Sequence, residues 1–320
     1  EGPGSTFRQS GGEATVTMLE LQGGSCELSD GLLSITTADI QAAAGGPAVL
    51  QTGGSLQADQ WIYLQGEYEL QGGDLTLRGS GDGRLHVGLT TAGTLRQSGG
   101  RVSAREVLVK VTDPLATGSG SLYELSDGEF LADRAVVGDH LGSSVNQTGG
   151  AADVASLEIG QQGGAVGSWT IAGGSLSAGE ILLGGAGQGS LAIASASATV
   201  EVRGLLRLGA AGSLSATEGA RILMTGAAFE NQLTDGTGAL GLGELEMVFE
   251  GGETLFDPFE VASRDLGPVL DGFDAEFALA ALTLGGQDVG QVELLDLFDN
   301  RLDWVGDECL YVRHLTLGAG

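Results

Sequence analysis

The densest group of potential metal ligands in the sequence is an acidic stretch close to residue 300. It contains four aspartates spaced by three or four residues: Asp296, Asp299, Asp303 and Asp307. Carboxylate oxygens are the ligands that Ca²⁺ prefers, but neither the residue order of an EF-hand loop nor the nonapeptide repeat of calcium-binding β-rolls is present. Two interpretations stay open: a weak calcium site, and a solvated acidic loop, which we favour. No other cofactor is predicted.

Catalysis on a polysaccharide would need clustered carboxylates, a basic residue that stabilises the developing anion, and aromatic rings that stack on sugar. The basic residues are scattered along the chain instead. The three histidines, His86, His140 and His314, are far apart and have no partner at the spacing of a metal site or a catalytic triad. We therefore predict no catalytic residues, and we expect these histidines to be solvated or packed.

The overall composition excludes several classes of protein. The chain has 320 residues, with 42 Asp and Glu against 14 Lys and Arg, which gives a formal net charge of −28. A protein that binds nucleic acid by neutralising phosphates needs the opposite balance, so no nucleic-acid partner is expected. No apolar run reaches the roughly 18 residues of a membrane-spanning helix. Two cysteines are too few for a disulfide-stapled scaffold.

The two cysteines, Cys26 and Cys309, lie near opposite ends of the sequence. A stack of about ten β-solenoid turns would separate them by on the order of 50 Å, which is beyond the reach of a disulfide within one chain. Two interpretations remain: a bridge between two subunits, and buried thiols that act as small hydrophobic side chains. The buried thiol is favoured for Cys26, because it falls in a column of apolar residues.

A short motif that closes on glycine recurs through the first two thirds of the chain. It reads apolar, any, Gln or Leu, small, Gly or Asp, Gly, and successive closing glycines are roughly 23 residues apart, the length of one β-solenoid turn. The closing residues are Gly12, Gly31, Gly54, Gly73, Gly100, Gly128, Gly150 and Gly174. We expect positive φ angles at these corners, which glycine adopts without a Cβ clash.

Alignment on the closing glycine predicts which side chains face the core. The position five before it and the position two after it are apolar in copy after copy, as at Tyr68 and Leu75. Because side chains alternate along a strand, the position three before it must also point inward. That position alternates between an aliphatic residue and glutamine, so the unit is a repeat of two turns. We interpret the inward glutamines as marks that fix the register of stacking: Gln9, Gln51, Gln97 and Gln147.

These patterns predict an all-β chain, a parallel β-solenoid or β-helix of about ten turns. Near residue 227 the glycine corners become rare and longer alternating strands begin. We therefore expect a solenoid repeat domain over 1–226 and a β-rich module over 227–320 that continues or closes the solenoid.

Alternating turns such as Gln147-Thr148-Gly149-Gly150 followed by Trp169-Thr170-Ile171-Ala172-Gly173-Gly174 resemble those of exported bacterial repeat proteins. The similarity is to the autotransporter-associated β-strand repeat proteins, including large surface proteins of the PEP-CTERM kind. It covers residues 7–225 at the level of repeat pattern. The resemblance implies export, a right-handed solenoid and a role at the cell surface or in a matrix, with no catalytic residue to carry across.

Three functions follow as hypotheses. The leading one is a non-enzymatic extracellular structural protein that binds copies of itself head to tail and forms a surface fibre, sheath or matrix, because the open ends of a solenoid expose unpaired strands. The second is an adhesin or carbohydrate-binding stalk that recognises surface glycans, with Trp61 and Trp304 as the exposed aromatic candidates. The third, a polysaccharide-active enzyme, is disfavoured by the scattered basic residues.

Overall fold

The computed structural model describes residues 5–41, 46–79, 81–234, 242–251, 256–274, 277–286, 290–302 and 305–318. Their regular structure is nearly all β, with parallel strands stacked as a β-solenoid of about ten turns, which confirms the predicted fold class. The described helical segments are two 3-10 turns, Leu242–Glu244 and Leu270–Asp274. Contacts divide the chain into unit 1, Glu1–Ala155 with Ala165–Trp169, and unit 2, Ser156–Gly164 with Thr170–Gly320.

Unit 1 is built from ten strands, and two more contribute residues to both units. The ten are β1 Thr6–Leu21, β2 Ser25–Gln41, β3 Val49–Gln51, β4 Ser55–Gln65, β5 Glu67–Leu70, β6 Asp74–Leu77, β7 Arg84–Val87, β8 Thr94–Val109, β9 Leu122–Val137 and β10 Ser143–Gln147. The two shared strands are β11 Ala151–Ile159 and β12 Val166–Ile171.

The strands of unit 1 stack so that each repeat position lies on the same position of the next turn. The column five residues before the closing glycine pairs in unbroken register along the strands: Phe7, Cys26, Val49, Tyr68, Leu95, Tyr123 and Val145. From Cys26 to Val145 its members are at most 1% exposed. The core of unit 1 is therefore a set of such columns, as the alignment on glycine predicts.

The corners of the turns confirm the role predicted for glycine. All eight closing glycines have positive φ, between 66° at Gly150 and 92° at Gly128. At Gly100 a Cβ would also lie 2.4 Å from the carbonyl oxygen of Gly73 in the preceding turn. Two constraints therefore require glycine at this position: the positive φ angle and the close approach of two turns.

Unit 2 continues with parallel strands. They are β13 Ser175–Leu183, β14 Gln188–Ile193, β15 Thr199–Leu208, β16 Gly212–Ala216, β17 Ala220–Thr225, β18 Ala228–Asn231, β19 Leu245–Glu250, β20 Asp257–Glu260, β22 Leu279–Leu284, β23 Val292–Leu295 and β25 Val312–Leu317. Two short strands, β21 Ser263–Arg264 and β24 Glu308–Cys309, pair antiparallel.

The predicted boundary at residue 226/227 falls inside unit 2. Parallel pairing runs from β17 on one side of it to β19 on the other, and continues through β22 to β25. The stacking thus extends past this position, while a separate module over 227–320 stays a prediction.

Candidate functional site

The inward glutamines predicted from the sequence are buried and tie neighbouring turns together. The Nε2 group of Gln97 donates to the carbonyl oxygen of Gly100 in its own turn (3.1 Å) and to that of Glu129 in the next turn (3.0 Å). Gln51 repeats the arrangement with Gly54 and Asp74. A buried amide is stable only when its polar atoms are paired, and these bonds pair the nitrogen across two turns.

The amide oxygens of Gln51 and Gln97 each accept a hydrogen bond from an aromatic side chain in the following turn. The hydroxyl of Tyr68 donates to Oε1 of Gln51 (2.5 Å), and the hydroxyl of Tyr123 donates to Oε1 of Gln97. Burial raises the pKa of both tyrosines well above the ordinary value, so both hydroxyls keep their protons. The pairing of glutamine with a donor in the next turn was not found from sequence. The signal in the sequence is a Tyr or Trp at this position in three of the four alternate turns: Tyr68, Tyr123 and Trp169.

Of the other two inward glutamines, Gln147 also accepts a hydrogen bond from an aromatic side chain, whereas Gln9 does not. Trp169 replaces tyrosine opposite Gln147, and its indole nitrogen donates to Oε1 at 3.3 Å. Opposite Gln9 the same position holds Cys26, and Oε1 of Gln9 has no hydrogen-bond partner among the described residues. The thiol of Cys26 is too short to reach the amide oxygen that a tyrosine hydroxyl contacts in the other turns.

The cysteines are both free thiols in different surroundings. Cys26 is fully buried, and burial, with the nearby Glu27 carboxylate second, raises the pKa of its thiol to about 11. Cys309 is partly exposed, and its Sγ lies 3.5 Å from the carbonyl oxygen of Arg264. Burial also raises the pKa of Cys309. An intersubunit bridge between them stays a prediction, and it would require Cys26 to leave the core.

The predicted calcium ligands that the structure describes lie on an exposed loop. Asp296, Asp299 and Asp307 are exposed, while Asp303 lies outside the described residues. Asp296 accepts a hydrogen bond from the backbone N–H of Glu308 at 3.3 Å. Within the described residues no group of three or more His, Cys, Asp or Glu side chains could hold a metal ion. The calcium site stays a prediction, and these contacts do not support it.

Two carboxylates that sequence reasoning did not single out hold this loop in place. Glu260, only 2% exposed, accepts hydrogen bonds from the backbone N–H groups of Leu297 (2.8 Å) and Phe298 (2.7 Å). Burial, with the nearby Asp296 charge second among the raising causes, lifts the pKa of Glu308 to about 7. Burial likewise raises the pKa of Glu260. These groups fasten a loop to the last turns of unit 2, and the loop has no repeat pattern from which the contact could be predicted.

The histidines are not brought into one site. His86 is 9% exposed, and burial lowers its pKa to about 4. His140 is exposed, and its Nε2 lies 3.1 Å from the carbonyl oxygen of Ala116. His314 lies exposed on β25 of unit 2. Neighbouring Asp139 accepts hydrogen bonds from Ser143 and from the N–H groups of Val111 and Leu141, so it anchors backbone.

Unit 2 has a surface groove of about 550 Å³ that crosses β13, β15, β17 and β19. Its lining includes Glu201 and Arg221. Glu201 accepts a hydrogen bond from Ser177 on the neighbouring strand (2.9 Å), and Arg221 pairs with Glu246 at 2.8 Å. Both charged groups are thus engaged by residues of adjacent turns, in the way that stacked turns pair their outer side chains elsewhere in the unit.

The last described turns of unit 2 expose residues that belong to core columns. The column Phe229, Phe259 and Leu294 passes from 2% exposure to 54%. Two parallel columns end in the same way on β25, at Leu315 (61% exposed) and Leu317 (72% exposed). Within the described residues three apolar columns thus end in exposed side chains, which we together call the β25 face: Leu294 on β23, and Leu315 and Leu317 on β25.

Comparison with protein-family models, with curated proteins and with solved structures found no match. The similarity to exported bacterial repeat proteins rests on the repeat pattern alone. Among the described residues, no helix has the length and apolarity needed to cross a membrane.

Proposed function

We propose that this chain is a non-enzymatic structural protein of the cell surface or extracellular matrix that adds copies of itself head to tail. The observation that carries the proposal is the β25 face, where Leu294, Leu315 and Leu317 extend core columns and stand 54–72% exposed. Exposed apolar side chains at the ends of core columns are a surface that another layer of the same stack covers.

The partner surface is the outer edge of β1 in a second copy. Within the described residues β1 pairs with β2 on one side only, and its inward-facing Phe7, Ala14 and Val16 are partly exposed. These three residues begin the same kind of column that ends at the β25 face. A copy stacked in this way buries both sets of apolar side chains and pairs the free strand edges.

Two other features support a structural role. Buried polar groups in unit 1, such as Gln97 and Tyr123, are bonded between turns and so serve stacking. The net charge of −28 favours a hydrated polymer whose sides repel one another. The extracellular location is part of the proposal and is supported by the resemblance to exported repeat proteins.

The double variant Leu315→Lys/Leu317→Lys tests the proposal, because two ammonium groups on the β25 face oppose burial while β1 stays intact. We expect wild-type chains to associate in sedimentation velocity and the variant to remain monomeric. A small amount of the variant added to wild type should shorten the assemblies, since the variant can join one end but cannot be extended at the other. The control is Leu115→Lys, at a loop leucine that is 85% exposed.

A wild-type chain that stays monomeric at all concentrations would contradict the proposal. Association that is unchanged by the β25-face substitutions would place the contact elsewhere and would contradict it as well.

A further inference from the structure

The outer face of one sheet of unit 1 carries a group of neighbouring rings. Trp61 and Tyr63 alternate on β4 with the fully buried Ile62, so both point away from the core. Their ring centroids are 4.2 Å apart with an interplanar angle of 25°. His86 on β7 packs its ring edge-on against Tyr63 at 4.9 Å. We call Trp61, Tyr63 and His86 the aromatic patch.

The patch combines two partly exposed rings with a buried, uncharged imidazole. Trp61 and Tyr63 are partly exposed, whereas Tyr68 and Trp169 are buried in the core. Large rings contribute most to the stability of a fold when they are buried. His86 is 9% exposed and its pKa is about 4, so it is neutral at physiological pH. Its Nδ1 has no hydrogen-bond partner among the described residues.

Hydrogen-bonding side chains border the rings on both neighbouring strands. On β7, Arg84 lies in register with Trp61, is half exposed, and pairs with Glu106 at 2.8 Å. On β2, Asp39 lies in register with Tyr63 and accepts a hydrogen bond from Gln65 at 3.0 Å. Adjacent strands are about 4.8 Å apart, so a donor group and an acceptor group lie one strand away on either side of the rings.

The local charge differs from that of the whole chain. Seven of the 14 Lys and Arg residues lie between residues 78 and 134, and the same segment contains seven Asp and Glu residues. This segment is neutral in a chain of net charge −28; it contains Arg84 and His86, while Trp61, Tyr63 and Asp39 lie outside it. An acidic polymer would be repelled by the chain as a whole. At the rings themselves the charge of Arg84 on one side balances that of Asp39 on the other, so the patch suits an uncharged ligand.

We propose that the aromatic patch binds a pyranose ring of a neutral polysaccharide. The apolar C–H face of the sugar stacks on the side of the Trp61 ring that is turned away from Tyr63, and its hydroxyl groups exchange hydrogen bonds with Arg84 and Asp39. Ligand sites generally combine aromatic surface, which contacts the apolar face of the ligand, with a few polar groups that bind its hydroxyls. The site is independent of the head-to-tail contact, since it uses none of the residues of the β25 face.

The test is a titration of the full chain with four neutral β-1,4-linked hexasaccharides: cellohexaose, xylohexaose, mannohexaose and hexa-N-acetylchitohexaose. Oligogalacturonate is the charged comparison. Binding is followed by tryptophan fluorescence and by calorimetry. We expect at least one neutral hexasaccharide to bind with a fluorescence change, and Trp61→Ala to weaken that binding roughly tenfold or more. Leu115→Ala, at an exposed apolar residue outside the patch, is the control and should bind as wild type.

A second variant keeps the test decisive if Trp61→Ala destabilises unit 1. Arg84→Gln leaves the rings in place and removes the guanidinium, and it should weaken binding several-fold without a change in far-ultraviolet circular dichroism. The proposal is wrong if no neutral hexasaccharide binds, if oligogalacturonate binds more tightly than all four, or if both variants bind as wild type.

Discussion

Removing the hydroxyl of Tyr123 tests whether the buried glutamines hold successive turns in register. In Tyr123→Phe, Oε1 of Gln97 loses its partner in a site where both side chains are 1% exposed. A buried polar group without a partner costs about 1–3 kcal/mol, which corresponds to a roughly 5- to 150-fold larger population of the opened state. Gln97→Leu should cost more, because it also removes the bond to Glu129 in the next turn.

The double variant measures the interaction energy between Gln97 and Tyr123 separately from the cost of each single substitution. In Gln97→Leu/Tyr123→Phe both polar partners are gone, so its cost should fall below the sum of the two single costs by at least about 0.5 kcal/mol. Gln9→Leu is a matched comparison, because Oε1 of Gln9 has no partner among the described residues, and this change should cost less than Gln97→Leu. Tyr63→Phe, on the outer face of β4, controls for loss of a tyrosine hydroxyl as such.

Hydrogen exchange resolved by mass spectrometry is the suitable assay, because turns of a repeat protein open separately and a single unfolding midpoint would average over them. Peptides from β8 and β9 should exchange faster in Tyr123→Phe, while those from β1 and β2 should not change. The reasoning is refuted if Tyr123→Phe exchanges like Tyr63→Phe, or if the costs of Gln97→Leu and Tyr123→Phe simply add.

Three further predictions concern the corners, the thiols and pH. Gly100→Ala should destabilise unit 1 more than Gly12→Ala in urea denaturation. The two φ angles are nearly equal, 69° and 70°, but only at Gly100 would a Cβ meet the backbone of the preceding turn. Equal losses of stability in the two variants would contradict this. Native Cys26 should resist iodoacetamide while the partly exposed Cys309 is alkylated slowly, and peptide mapping that finds both labelled at one rate would count against the buried thiol. The carboxyl of Glu308 has its pKa raised from 4.5 to about 7, so its contribution to stability is present below pH 4.5 and is lost as the pH rises through 7. Thermal melting should show a smaller loss of stability across this range in Glu308→Gln than in wild type, and parallel curves would oppose the assignment.

The repeat positions could be predicted from sequence because the solenoid applies the same constraint at every turn. A corner that needs positive φ selects glycine at Gly54 as at Gly128, and an inward position selects an apolar or paired side chain. The bond between Gln97 and Tyr123 was beyond this reasoning, because it joins two turns and depends on which positions stack. Nothing periodic marks it except the alternation of tyrosine itself.

Other contacts do not repeat from turn to turn, so the sequence pattern indicates them weakly or not at all. The alternation of β4 places Trp61 on the outer face, so its partial exposure could be expected, but its stacking on Tyr63 depends on rotamers. Trp304, the other aromatic candidate, lies outside the described residues. The contact of Glu260 with the loop at Leu297 joins residues 37 apart in a segment without repeats, so no spacing could indicate it.

The most direct test of head-to-tail association is the molar mass of the wild-type chain, measured by light scattering over a range of concentrations. Addition of copies at the β25 face predicts a mass that rises steadily above that of the monomer as the concentration increases and falls back on dilution. A mass that equals one chain at every concentration would contradict the proposed function.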